Sequence, residues 1–170
     1  MNTDTATSRD AHNEASQALS RIFAGHAITS ATTNGATQVL TLDNGETVTI
    51  RHETTELDYS VGDYVRNESR YIEGFTWRAR ESFDNEQTIL TAWVEKRETY
   101  KPATPYDEYD ETPGETTETI ELWMMFDGDI RPTKITSNET EYTWKSKSPD
   151  FTIMCGDETV TARDAHVDAD

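Results

Sequence analysis

The feature that most constrains the fold of this chain is an alternation of apolar and polar residues with a period of two, interrupted by glycine-containing turns. The segments HAITSATT, TQVLTL and ETVTIRH follow one another between residues 26 and 52, and Asn34-Gly35 and Asp43-Asn44-Gly45 separate them. A period of two is typical of strands with one buried face, and short turns that contain glycine favour hairpins. This region therefore predicts three consecutive antiparallel strands.

The second of these turns also allows the register to be predicted. A two-residue loop at Asn44-Gly45 would mix apolar and polar side chains on each face. A three-residue loop with Gly45 in the left-handed position pairs Leu42 with Glu46 and Leu40 with Val48. It gathers four apolar side chains on one face, namely Leu40, Leu42, Val48 and Ile50. Because a slip of one residue turns every side chain over, we predict the three-residue loop.

The rest of the chain completes a mainly β pattern. Apolar residues recur at helical spacing over 11–24, and Gly25 follows at a helix stop. Further strand candidates are 71–80, 87–98, 119–126, 141–147 and 151–155, with a weaker one at 158–163. Many short strands predict an antiparallel β-sandwich or small barrel, here with one short N-terminal helix. We expect a flexible end over 1–10, a single β domain over 11–163 and a tail over 164–170.

Residues 100–118 break the strand spacing with three prolines, several tyrosines and a run of acids. Structureless segments of this length are usually solvated excursions or functional loops. Two interpretations stay open: a solvated excursion between two strands, or a contact arm with Tyr106 and Tyr109 as partner-binding anchors. The acids of this segment could also hold a divalent ion weakly; they are Asp107, Glu108, Asp110 and Glu111.

Charge is the second constraint, since 33 Asp and Glu stand against 15 Lys and Arg and give a net charge of −18. The acids are dispersed along the chain, arginine outnumbers lysine by about two to one, and threonine fills about a sixth of the sequence. In molar salt the Debye length falls to about 3 Å, so repulsion between carboxylates is largely screened. The composition resembles that of proteins from extreme halophiles with molar KCl inside the cell, or from their viruses.

The same composition argues against several activities. The few basic clusters sit among acids, so direct nucleic-acid binding is not expected. No apolar run is long enough for a membrane span and no signal peptide is visible, which predicts a location in the cytoplasm or in a virion. An acidic mimic of nucleic acid would gather its carboxylates on one face, whereas these are spread along the sequence.

Residues with catalytic or ligating chemistry are few. Cys155 lies in an apolar run typical of a buried thiol, and Glu121 and Glu73, the candidates for a catalytic carboxyl, point to solvent by the period of two. None of the histidines has a second ligand at metal spacing; they are His12, His26, His52 and His166. We therefore expect no enzyme activity, no cofactor and no metal site.

Four tryptophans each lie in a strand candidate, namely Trp77, Trp93, Trp123 and Trp144. In a sandwich of this kind we expect them to fill the core. The alternative is an exposed aromatic face that stacks sugars or bases.

Several short motifs resemble a family of small uncharacterised domains found in phage and prokaryotic genomes. They are Gly25-His26-Ala27-Ile28-Thr29, the Leu-Thr-Leu-Asp-Asn-Gly hairpin at 40–45, the strand that ends at His52, and Glu121-Leu122-Trp123. The resemblance extends from Leu19 to about Glu98 and from Thr119 to Met154. That family places cysteines shortly after the histidine, and this chain has none there. The family has no established activity, so the resemblance implies a viral or proviral origin and no particular function.

These observations predict a non-enzymatic structural or protein-binding component adapted to high salt, such as a virion or tail protein of a haloarchaeal virus. Its expected partners are other proteins, including virion neighbours or further copies of itself. Two alternatives stay open. One is an acidic nucleic-acid mimic that inhibits a host enzyme, and the other is a ligand-binding module or enzyme that uses a tryptophan-lined face.

Overall fold

The computed structural model describes residues 14–53, 65–66, 71–72, 75–102, 114–143 and 148–168. This part of the chain forms two β-sheets with an apolar core between them. The predicted mainly β, sandwich-like fold is confirmed. The barrel alternative is not adopted, because the two sheets do not close on one another.

The helices are short and the strands carry most of the structure. Helix α1 covers residues 14–23 and α2 is Ala162–Ala165. The first six strands are β1 (Ile28–Asn34), β2 (Thr37–Leu42), β3 (Thr47–Glu53), β4 (Val65–Arg66), β5 (Tyr71–Ile72) and β6 (Phe75–Ala79). The others are β7 (Ile89–Lys101), β8 (Glu115–Phe126), β9 (Thr133–Tyr142), β10 (Asp150–Cys155), β11 (Glu158–Thr161) and β12 (His166–Asp168).

The strands divide between a five-stranded and a seven-stranded sheet. The five-stranded sheet has the order β1-β2-β3-β10-β11, and the seven-stranded sheet has the order β12-β7-β8-β9-β6-β5-β4. Neighbours pair antiparallel except β12, which lies parallel to β7. The core between the sheets includes Leu40, Ile50, Val94, Leu122 and Phe151, all fully buried.

Helix α1 closes one side of this core. Leu19 and Phe23 are completely buried, as the helical spacing of the sequence predicts. The helix ends at the expected stop: Gly25 has φ +85°, and its N–H donates to the Ile89 carbonyl over 2.8 Å. The left-handed glycine thus turns the chain from the helix into the first hairpin.

The register predicted for the β2–β3 hairpin is confirmed. Leu40 pairs with Val48, and the Leu42 N–H donates to the Glu46 carbonyl over 2.8 Å. Gly45 has φ +87°, as a left-handed bulge position requires. The four apolar side chains of the two strands are all buried on one face, and they are Leu40, Leu42, Val48 and Ile50.

Two strand predictions need correction. The single strand predicted over 71–80 is instead two antiparallel strands, β5 and β6, and Ile72 pairs with Phe75. The strand predicted over 141–147 begins earlier, at Thr133, and its described part ends at Tyr142. Residues 133–140 gave no alternating signal because β9 turns polar side chains such as Asn138 toward the core.

Parts of the segments predicted as a tail and as a long loop are helix or strand in the structure. Residues 162–168, which include most of the expected tail, form α2 and β12, and His166 pairs with Val94 of β7. Strand pairing bounds the predicted loop over 100–118 more tightly, since Lys101 of β7 pairs with Glu115 of β8. The segment 162–168 is held by pairing with β7 and by burial of Ala162 and Ala165 in the core, and two buried alanines in a short helix give no period-two pattern.

We predict that Gly45→Ala lowers the free energy of unfolding by about 1 kcal/mol, because Ala resists positive φ. No atom lies within 4 Å of a Cβ added there, so the loss comes from the backbone alone. Gly45→Asn, which tolerates this conformation better, should lose less. Denaturant titrations of the three proteins check this order, and equal midpoints would contradict it.

Candidate functional site

The outer face of the seven-stranded sheet carries two tryptophans directly opposite one another. Trp93 of β7 pairs with Trp123 of β8, and both indoles are half-buried. Their strand neighbours Val94 and Leu122 point the other way and are fully buried in the core. We name Trp93 and Trp123 together the tryptophan platform.

Each platform indole donates a hydrogen bond to a carboxylate on its own strand. For Trp93 the acceptor is two residues later in the sequence, and for Trp123 it is two residues earlier. Trp93 Nε1 lies 3.2 Å from Glu95 Oε2, and Trp123 Nε1 lies 3.2 Å from Glu121 Oε1. These bonds run along each strand and fix the direction in which the ring faces. The rings are therefore held in place before any partner arrives.

Glu95 and Glu121 are themselves cross-strand partners, which would be destabilising without a cation between them. Arg97 supplies the cation: its Nε lies 2.8 Å from Glu121 Oε1 and its Nη2 lies 3.2 Å from Glu95 Oε1. The hydrogen bond from Arg97 to Glu121 raises the pKa of the guanidinium. Lys134 Nζ adds a longer contact of 3.5 Å to Glu121 Oε2.

Glu121 is only 5 % exposed, although the period of two places it on the outer face. The expectation that it points freely to solvent is therefore wrong. Neighbouring outer-face side chains cover it, and its carboxylate accepts from an indole, a guanidinium and an ammonium group. These contacts assign Glu121 a positioning role beneath the tryptophan platform. The other carboxyl candidate, Glu73, lies outside the described residues.

The expectation that the tryptophans fill the core holds for Trp77 alone among those described. Trp77 is 1 % exposed, whereas Trp93 and Trp123 lie on the outer face and Trp144 is outside the described residues. A signal for the platform existed in β8, where Trp123 alternates with buried Leu122 and Met124. In β7 this signal was hidden by the irregular register between Ile89 and Thr91. The irregularity changes which residues of the strand share a face.

A second polar cluster lies inside the sandwich and joins the two sheets. His52 of β3 stacks on Trp77 of β6 with ring centroids 4.6 Å apart, and it contacts Phe151 at 5.3 Å. Its Nε2 lies 2.7 Å from Thr136 Oγ1 of β9. Asn138 Nδ2 donates to the Asp150 carbonyl over 2.8 Å, a further bond between the sheets.

The proton of His52 can be placed from these bonds. The Thr136 hydroxyl donates to the Arg78 carbonyl over 2.8 Å, so its oxygen accepts from His52 and Nε2 carries the hydrogen. His52 Nδ1 is then a buried acceptor with no hydrogen-bond partner among the described residues. Burial lowers the pKa of His52 to about 3, because the charged ring would lose its hydration inside the sandwich.

A buried ion pair lies at another point of the inner face of the seven-stranded sheet. Glu118 is fully buried, and its Oε1 lies 3.0 Å from Lys96 Nζ. Tyr142 Oη and Ser148 Oγ approach Glu118 Oε2 at 3.3 and 3.4 Å. Burial, with the Glu118 charge beside it, raises the pKa of Tyr142 to about 12. These contacts make Glu118 a structural carboxylate.

The other residues singled out by sequence have local roles or lie outside the described chain. Cys155 is partly exposed and packs against the core edge, and burial raises the pKa of its thiol, which opposes nucleophilic character. His26 Nδ1 lies 2.9 Å from Asp43 Oδ1, a hydrogen bond that lowers the pKa of Asp43. Outside the described residues are His12, Tyr106, Tyr109, Asp107, Glu108, Asp110 and Glu111.

Within the described ranges, no three His, Cys, Asp or Glu side chains come together as metal ligands. Among those same residues, no helix has the length and apolar character needed to cross a membrane. No protein-family model, curated protein or solved structure matches the chain. The resemblance to small phage and prokaryotic domains therefore stays a prediction.

The buried histidine predicts a pH dependence of stability. Its pKa is about 3 when folded and about 6.5 when unfolded, so the unfolded state binds more protons between these values. Stability is therefore lost as the pH falls from about 6.5, with a slope approaching 1.4 kcal/mol per pH unit from this group.

His52→Gln removes this titration while keeping a side-chain donor for Thr136. Urea titrations between about pH 6.5 and pH 4 should show a shallower loss of stability in the variant than in the wild type. Carboxylates contribute equally to both proteins, so the difference isolates His52. Parallel pH curves for the two proteins would contradict the assignment.

Proposed function

We propose that this protein is a non-enzymatic structural or protein-binding component adapted to concentrated salt, and that the tryptophan platform is its contact surface for another protein. The observation that carries the proposal is the pair Trp93 and Trp123, opposed on an outer sheet face. Large aromatic side chains there leave apolar area in water unless a partner covers it.

The chemistry of the platform suits a protein partner. Tryptophan and arginine dominate the binding energy of protein interfaces, and here Arg97 lies beside the two indoles through Glu95 and Glu121. Both rings are already fixed by hydrogen bonds, so binding costs little side-chain entropy. The carboxylates are occupied by these bonds, which leaves the half-buried indole rings to contact a partner.

The distribution of acids supports adaptation to salt. Exposed carboxylates lie on strands of the seven-stranded sheet and at turns of the five-stranded sheet, for example Glu98, Glu115, Glu141, Asp43 and Asp157. A spread of this kind fits screening by concentrated electrolyte. It does not favour a nucleic-acid mimic, which needs its carboxylates along one ridge. A virion or tail component of a haloarchaeal virus is the particular form of the proposal that fits this composition.

A second candidate is a ligand-binding module, since an opposed tryptophan pair also stacks on sugar rings. The platform lies on a sheet face, whereas the groove of about 370 Å³ near α1 and β11 is lined by other residues. A small ligand would therefore be covered on one side only, which disfavours high affinity. Oligosaccharide arrays distinguish this candidate from a protein contact.

We predict that Trp93→Ala with Trp123→Ala weakens partner binding by at least about tenfold, because both indole rings are lost. The test is capture from virus particles or high-salt extract, followed by titration of the captured protein. Thr91→Ala with Thr99→Ala, on the same outer face of β7, is the matched control and should bind like the wild type. Unchanged binding by the tryptophan variant would overturn the platform, and binding to the oligosaccharide array would favour the second candidate.

We also predict that the free energy of unfolding rises as KCl is raised to molar concentration. Screening reduces the repulsion among carboxylates in a chain whose net charge is −18. A variant with four exposed acids amidated should show a shallower rise; its changes are Glu98→Gln, Glu115→Gln, Glu141→Gln and Asp157→Asn. Chemical denaturation at several KCl concentrations measures both slopes. A wild type that is equally stable in dilute buffer would rule out the adaptation.

A further inference from the structure

The β1–β2 hairpin is an uncharged surface on a strongly acidic protein. Residues 27–42 contain no Asp, Glu, Lys or Arg, in a chain of which 28 % is charged. The exposed side chains of β1 are hydroxyls and one amide, namely Thr29, Ser30, Thr32 and Asn34. Repulsion between carboxylates opposes contact between copies of the chain, and this hairpin adds no charged residue of its own to that repulsion.

Strand β1 is also an edge of the five-stranded sheet, and its only strand partner in the described chain is β2. The opposite edge of the same sheet, strand β11, carries the charged side chain of Glu158. Charged side chains are a common protection of edges against pairing with another chain. Strand β1 has no such charge. Its pairing with β2 is irregular between Ile28 and Ser30, near the start of the strand.

The hydrogen bonds of the hairpins show which backbone groups of β1 face away from the sheet. The Leu42 N–H donates to Glu46 of β3, so the even-numbered residues of β2 bond to β3 and the odd-numbered ones to β1. The β1 partners of these odd-numbered residues are Ser30, Thr32 and Asn34. The backbone N–H and C=O groups of Ala31 and Thr33 therefore point outward along the edge.

We propose that this edge pairs with β1 of a second copy of the chain, antiparallel about a two-fold axis at Ala31, the middle residue of the strand. The two Ala31 residues would then exchange both backbone hydrogen bonds, and Thr33 of each copy would lie opposite Thr29 of the other. Ser30 and Thr32 would face one another across the axis, a hydroxyl pairing that stabilises antiparallel strands. The two five-stranded sheets join into one of ten strands.

The charge distribution near the edge supports a second copy as the occupant. Glu81 lies beside Thr33, whose hydroxyl donates to it. About a two-fold axis at Ala31, the two Glu81 side chains fall at opposite ends of the interface, roughly 13 Å apart along the strands for a rise of about 3.3 Å per residue. This exceeds the Debye length of about 3 Å in molar salt. Self-pairing should therefore strengthen as KCl is raised.

The experiment compares two substitutions at the same position in about 1 M KCl, a concentration that screens the surface charge. Ala31→Pro removes the outward N–H without removing a bond to β2, since an edge strand tolerates proline where the N–H faces away. Ala31→Ser keeps the backbone N–H and has a side chain of nearly the same size. Sedimentation equilibrium should show dimers for the wild type and Ala31→Ser. For Ala31→Pro the dissociation constant should rise by at least about tenfold, because two symmetry-related hydrogen bonds are lost.

Circular dichroism confirms that each variant is folded before its mass is interpreted. If Ala31→Pro does not fold, amide exchange on the wild type decides: protection at Ala31 and Thr33 should increase with protein concentration. A wild type that stays monomeric, an Ala31→Pro protein that dimerises normally, or a dimer without this protection would each overturn the proposal. The platform lies on the other sheet, so Trp93→Ala with Trp123→Ala should leave the dimer intact, and the two proposals fail separately.

Discussion

The position of one sheet over the other depends on the buried contact between His52 and Trp77. Apolar packing holds the sheets together but is not directional, since the hydrophobic effect follows area and not orientation. Stacking at 4.6 Å and the hydrogen bond from His52 to Thr136 have defined geometry, so they fix how the sheets align. Asn138 extends the same link by donating to the Asp150 carbonyl. The alignment in turn determines which strand faces remain outside.

The outer face of the seven-stranded sheet is organised around charge pairing. Glu95 and Glu121 are opposed across two strands, and Arg97 makes this arrangement stable by bonding to both. The same carboxylates accept from the indoles of Trp93 and Trp123, which stay on the surface with fixed orientation. Acidic residues thus have two roles in this protein. In the described part of the chain most are exposed, while a few are covered and hold other side chains.

Much of the fold could be predicted from sequence, but less of the site. The β2–β3 register followed from Gly45 and the alternation of Leu40, Leu42, Val48 and Ile50, because one buried face specifies register strongly. Strand β9 was not predicted along most of its length, since its inward residues are polar and bond to other strands, as Thr136 does to His52 and Arg78 and Asn138 does to Asp150. The tryptophan platform required pairing between β7 and β8, and the irregularity near Leu90 disguised which face Trp93 occupies.

By itself, the sequence determined the sheet-forming periodicity, the hairpin turns, the helix stop at Gly25 and the acidic character of the surface. These are local or additive properties, since backbone conformation and charge count need no distant partner. The tertiary structure decided that Trp77 is buried while Trp93 and Trp123 are not, that Glu121 is covered, and that β1 lies at a sheet edge. Each of these depends on which distant strands become neighbours, and strand neighbours are chosen by packing of the whole chain.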